Sequence, residues 1–270
     1  MSLEPKIFPH FENPPLNEVV LGVQFRPAQN YQEIQAFEVW NLFRDQFPLV
    51  QESMPIPPQF ETFGLPSAPQ IGFNMMSGAI HNRFWFLSKQ SEQLIQFQQD
   101  RLLHNWRKVG DRSNEYPRFE NIVDQFAKEV EALEGYFKSL GNERLFVTQV
   151  EVSYINHIRM DELMGPVRLQ KWLTFINPEA QAVDEFVSNT RSILKDDSGR
   201  PYARLYRDSA LGLTDTGARI LMFTLSVRGK PELDNLQETL KFISKGREVI
   251  ADDFIRNTTV DAQAEWKRVQ

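Results

Sequence analysis

The sequence predicts an α+β fold made of two tandem β-α-β-β-β-α units, each a mainly antiparallel sheet with its helices on one face. Three observations carry this. Strand-like alternation and helix-like periodicity follow one another in the same order in both halves. Each half closes on a long amphipathic stretch, at residues 121–140 and 235–254. Short matches recur at equivalent places: Trp40-Asn41-Leu42-Phe43 before Phe47-Pro48, and Trp172-Leu173-Thr174-Phe175 before Asn177-Pro178. The units are expected at 1–142, with an extended N-terminal arm, and at 143–270, with a C-terminal helical tail.

The elements follow from their patterns. Pro5, Pro9, Pro14 and Pro15 deny the arm regular hydrogen bonding. Val19, Leu21, Val23 and Phe25 alternate with Val20, Gly22 and Gln24, the period of a strand with one buried face. Ala36, Phe37, Trp40, Phe43 and Phe47 form a helical stripe that Pro48 stops. The proline-rich stretch 49–69 reads as irregular, with a short strand near Phe60–Phe63. Residues 80–87 and 93–106 read as a hairpin turned at 89–92; the strand is confined to Leu94–Gln99, and 101–108 is left open. Ile122, Phe126, Val130, Leu133, Phe137 and Leu140 mark the first long helix, and Gly141-Asn142 its end. In the second half a strand is expected at 146–155, a helix at 166–176 and strands at 185–194, 202–208 and 219–228. Asp196-Asp197-Ser198-Gly199 is hairpin-turn chemistry. Leu236, Leu240, Ile243, Ile250 and Phe254 face the core from the last helix, and Arg247 on that stripe is expected to snorkel or find an acid.

Composition narrows the function classes. With 270 residues, 41% hydrophobic and 21 Phe, the chain has ample core material. A net charge of −6 argues against nonspecific nucleic-acid binding, which needs a basic surface. The absence of cysteine removes disulfides, thiolate metal sites and cysteine nucleophiles. No run approaches the roughly 20 apolar residues of a membrane helix, and the N-terminus lacks the basic and apolar regions of a secretory signal. A cytoplasmic protein is expected.

No phosphate-cradling glycine loop or nucleophile elbow is present. His10, His81, His104 and His157 are scattered, with no metal-ligand spacing between them, so neither a metal nor a cofactor is expected. His157 reads as a partly exposed residue closing its strand rather than a base. The densest polar-aromatic cluster runs from Gln98 to Lys108 and continues at Tyr116-Pro117-Arg118-Phe119. Arg101, Arg107 and Arg118 have the chemistry to hold an anion, and Trp106 and Tyr116 to stack a planar ring; His104 and Asn105 complete the candidate ligand-binding set. The competing reading makes Arg101 and Asn105 backbone partners and Trp106 core. Arg200, Arg204, Tyr206 and Arg207 read as a second, solvent-facing basic stripe.

Several of these segments in combination resemble a sporadically distributed, uncharacterised bacterial family. They are Pro14-Pro15-Leu16-Asn17-Glu18-Val19-Val20, Asp100-Arg101-Leu102-Leu103-His104-Asn105-Trp106-Arg107, Tyr116-Pro117-Arg118-Phe119 and Tyr154-Ile155-Asn156. The resemblance covers most of the chain and implies a bacterial protein of an accessory system, such as a defence or toxin-antitoxin locus. It carries over no catalytic residue. The leading expectation is a non-enzymatic binding module that recognises a protein partner or small anionic ligand at the junction of the two repeats. The alternative is an enzyme acting on a phosphorylated or nucleotide-like substrate through an arginine clamp, with His104 or an acid as base. A homodimer is left open.

Overall fold

The computed structural model describes residues 8, 10–63, 82–110, 114–160 and 165–269. In the first half lie strands β1 (Leu16–Phe25), β2 (Leu49–Ser53), β3 (Arg83–Leu87), β4 (Gln93–Gln98) and β5 (Arg101–Arg107), with helices α1 (Ala36–Asn41) and α2 (Phe119–Ser139). The second half supplies β6 (Val147–Arg159), β7 (Val187–Lys195), β8 (Pro201–Leu213) and β9 (Arg219–Gly229), with helices α3 (Leu236–Asn257) and α4 (Val260–Glu265).

All nine strands form one antiparallel sheet in the order β2-β3-β4-β5-β1-β6-β9-β8-β7. Two separate sheets of about four strands were expected; instead β1 pairs with β6, with Val19 opposite Tyr154, Leu21 opposite Val152 and Val23 opposite Val150. The reason is legible in β1 itself. Val20 and Gln24, on the face turned away from Leu21, are buried as well, and a strand buried on both faces belongs in the middle of a sheet, not at an unpaired edge.

Alternation sorts the side chains onto two faces. One carries Val19, Leu21, Val23, Phe97, Leu102, Val150, Val152, Phe223 and Leu225, all essentially sealed from water in the core under the helices. Phe126, Val130, Leu133 and Phe137 of α2 and Ile243, Ile250 and Phe254 of α3 complete this core. Two polar pairs also cross from sheet to helix. His104 Nδ1 lies 3.0 Å from both carboxylate oxygens of Glu129 on α2. Arg207 donates Nε and Nη2 to Asp253 on α3 at 2.6 and 2.7 Å. Arg247 does find an acid: its Nη1 donates to Glu120 Oε1 of α2 at 2.7 Å, while the guanidinium covers the Phe119 ring. The basic stripe expected in β8 is therefore divided, with Arg207 under α3 and Arg204 and Tyr206 on the opposite face.

Other local expectations change in instructive ways. Of residues 101–108, left open from sequence, 101–107 are β5; Gln99-Asp100 is the tight turn from β4. The helix expected at 166–176 is only a 3-10 turn, Leu169–Lys171. Tertiary packing overrides its helical pattern: Trp172 stacks on Trp266 with ring planes 12° apart, and Leu173 bridges to Thr258. Phe60–Phe63 forms no strand. Ile80, Pro66 and Pro69 lie outside the described residues. The Asp196–Gly199 turn forms as expected. Asp196 Oδ1 accepts from the Ser198 hydroxyl at 2.6 Å and the Arg200 amide at 3.0 Å, bonds that hold its carboxyl down at about 2.

Gly246 shows how closely α3 approaches the sheet. A Cβ there would meet Val152 Cγ1 at 2.5 Å and Val227 Cβ at 3.4 Å, two residues paired across β6 and β9. Helix propensity alone predicts that Gly246→Ala gains about 1 kcal/mol. The packing predicts the opposite sign, a loss of about 1–3 kcal/mol from overpacking, to be measured by urea unfolding of the two proteins.

Candidate functional site

The cluster singled out in sequence is split by the period of its strand. Arg101, Asn105 and Arg107 project from β5 to the face away from the helices, and His104 and Trp106 to the helical core. Arg101 is held by Asp100, by Gln24 at 3.3 Å and by the Pro57 carbonyl at 3.1 Å. Asn105 donates to Glu18 Oε1 at 2.6 Å and accepts from Gln96 at 3.0 Å. Arg107 donates to the Ser91 carbonyl at 2.9 Å. Its guanidinium shares the Trp85 ring with that of Arg83. Burial raises the Glu18 carboxyl above its ordinary range, against the opposing pull of Asn105 and Arg107.

On the other face, His104 is sealed against Glu129 and the Phe47 ring. Trp106 is core, edge-on to Tyr116 at 5.0 Å. Tyr116 OH meets Tyr154 OH at 3.4 Å, and burial raises both phenols. Arg118 is exposed at the N-cap of α2, with φ of 69°. Arg101, His104 and Arg107 thus do not line one wall, so the geometry does not bring together an arginine clamp and a His104 base.

A different set of groups converges at the end of the sheet where β1 begins and β6 ends. A cavity of about 500 Å³ opens there, bordered by Lys108, His157, Arg159 and Asp215. Each is positioned by the backbone. The Lys108 amide donates to Asn17 O, and the His157 amide to Pro15 O, both at 2.8 Å. Asp215 sits in the β8–β9 turn, which Thr214 closes by accepting at 2.8 Å from the Gly217 amide. The floor includes Trp266 after α4, tied to the arm by the Asn13 amide, which donates to the Trp266 carbonyl at 3.1 Å.

Two carboxylates, Asp215 and Glu265, border the cavity together with the cations. Burial lowers the Lys108 ammonium from its ordinary pKa, and Arg159 lowers it further. Burial also lowers His157; Asp215 opposes this and Lys108 adds to it. Sequence reasoning missed this site because its residues come from four distant segments, each unremarkable alone. The one available signal was His157 two residues before Arg159, on the same face of one strand.

Among the described residues, no group of three or more His, Asp or Glu side chains is placed to hold a metal ion, and no helix is long and apolar enough to cross a membrane. The chain matches no family model, no curated protein and no solved structure.

The His157 shift has a definite sign. Its folded pKa lies below the ordinary 6.5, so the unfolded chain takes up this proton first. The residue leaves stability untouched above about pH 6.5 and withdraws some as pH falls below it. An NMR titration of the His157 ring should give a pKa below 6.5, and Lys108→Met should move it upward. A wild-type value at or above 6.5 contradicts the placement.

Proposed function

We propose that the protein is a non-enzymatic binding module whose site is the cavity at the junction of its two halves, and that it holds a small anionic ligand. The observation that carries this is the convergence of Lys108, His157 and Arg159 on one cavity. Lys108 and His157 present N–H donors to that cavity, and a partly desolvated ammonium is stabilised by an anion beside it, through charge-assisted hydrogen bonds. A volume of about 500 Å³ is within the usual range for small-molecule sites. Asp215 on the same border offers an acceptor, suiting a ligand that carries a donor as well as its negative charge.

The reading includes a duplication. Outward from the central pair, the first half runs β1-β5-β4-β3 and the second β6-β9-β8-β7. In each, the first strand is central, the last of the following three lies beside it, and a long helix follows in sequence. β2 is an additional edge strand of the first half. This order supports two related units that meet at their first strands and form a ligand site between them. The bacterial accessory-system setting follows from the motif resemblance alone.

The test is a thermal-shift and calorimetric screen of small anions, including inorganic phosphate, citrate and nucleoside monophosphates. At least one should raise the melting temperature of the wild type. Lys108→Met should weaken its binding by about 1.5–3 kcal/mol, roughly tenfold or more. No shift with any of them, or an equal shift in the Lys108→Met protein, would falsify the assignment.

A further inference from the structure

The face of the sheet away from the helices is not bare. After β2 the chain runs as an extended segment, Met54–Phe63, and meets the strands in their spatial order from β4 to β8. Gln98 of β4 accepts from the Ile56 amide at 2.9 Å and donates to its carbonyl at 3.0 Å. Arg101 of β5 donates to the Pro57 carbonyl at 3.1 Å. Gln24 of β1 accepts from the Gln59 amide at 2.9 Å. Arg228 of β9 donates to the Gln59 side chain. Glu61 accepts from the Tyr206 hydroxyl and lies 2.9 Å from Arg204 Nε on β8. Arg204 also donates to the Thr62 carbonyl at 2.7 Å.

Two features make this surface a receptor for an extended peptide. The segment's backbone is read by side chains, Gln98 binding both polar groups of one residue, which recognises a peptide whatever its own side chains are. Its acidic residue enters a pocket of Arg204, Tyr206 and Arg228, where the Glu61 side chain is only 6% exposed. The fit is also incomplete. Beneath the segment lies a cavity of about 190 Å³, bordered by Gln24, Gln149, Glu151 and Arg228. Gln149 is only 7% exposed, and its buried Oε1 has no hydrogen-bond partner among the described residues. A buried acceptor left unmade is costly, and a different peptide carrying a donor side chain at that place would satisfy it.

We propose that this groove is a second binding site, which takes an extended acidic segment of a protein partner, and that Met54–Phe63 occupies it in cis as a built-in competitor. The partner's glutamate replaces Glu61 between Arg204, Tyr206 and Arg228, and its donor side chain reaches Gln149. The proposal does not rest on the anion cavity, which is lined by other residues. Because the cis segment holds the groove closed, the apparent affinity for a peptide in trans is reduced by the fraction of molecules with the groove open.

The experiment uses the full chain and a fluorescein-labelled peptide of the segment's own sequence, residues 54–63, read by fluorescence anisotropy. Glu61→Gln in the protein weakens the cis contact and leaves the groove intact, so it should bind the peptide at least about tenfold more tightly than the wild type does. A peptide with Gln in place of its glutamate should lose that binding, and so should the protein that carries both Glu61→Gln and Arg204→Met. Should Glu61→Gln lose the native circular-dichroism spectrum, Phe63→Ala, which removes only the ring near Arg204, is read in the same way. A folded variant with no gain in peptide binding over the wild type overturns the proposal, and so does binding that ignores the peptide's glutamate.

Discussion

The pairing of β1 with β6 is the constraint on which the rest of the structure depends. It turns two short sheets into one and removes two hydrophobic edges that would otherwise recruit other chains. It brings α2 and α3 side by side over a shared core, where Arg247 and Glu120 join them. It also creates the two places of functional interest. The cavity bordered by Lys108 and His157 lies where the two central strands begin and end, and the polar groove crosses the sheet on the face away from the helices. Gly22 fits this central role: a Cβ there would collide with the Leu103 side chain beside it on β5, under the groove.

The two faces solve different problems. On the helical face nearly every group is apolar, and two of the exceptions join a strand to a helix as pairs. His104 with Glu129 and Arg207 with Asp253 each tie a strand to a long helix. A buried ion pair such as Arg207 with Asp253 is a weak contributor when intact, yet losing one partner strands a charge in the core. Both pairs act as fasteners that fix which helix lies over which strand. On the opposite face the polar residues are too numerous to be covered by apolar helices. The extended segment after β2 meets several of them instead, with backbone amides, carbonyls and one carboxylate.

Much of the fold was legible in the sequence where one periodicity dominates. The alternation of Val19, Leu21, Val23 and Phe25, the stripe from Ile122 to Leu140 and the Asp196–Gly199 turn each allow a single local structure. The single continuous sheet was less legible, because strand pairing between distant segments leaves no mark beyond a strand apolar on both faces. Residues 93–107 looked ambiguous because a two-residue turn at Gln99-Asp100 hides between two strands. Trp172 and Leu173 satisfied a helical pattern, but packing on Trp266 and Thr258 decided their conformation. The site was the least legible part. Arg101, His104 and Arg107 are neighbours in sequence and are parted by strand alternation. Lys108, the His157–Arg159 strand end and Asp215 are far apart in sequence and are brought together by the β1–β6 junction.

Native-state hydrogen exchange at the junction tests the account most directly. If β1–β6 pairing unites the halves, the amides of Leu21–Val23 and Val150–Val152 should be among the slowest in the chain. They should exchange together, with the free energy of global unfolding, while those of the edge strands β2 and β7 open at lower cost. Exchange of β1 with one free energy and β6 with a clearly lower one would show that the halves unfold separately, and that the continuous sheet is not what holds the molecule together.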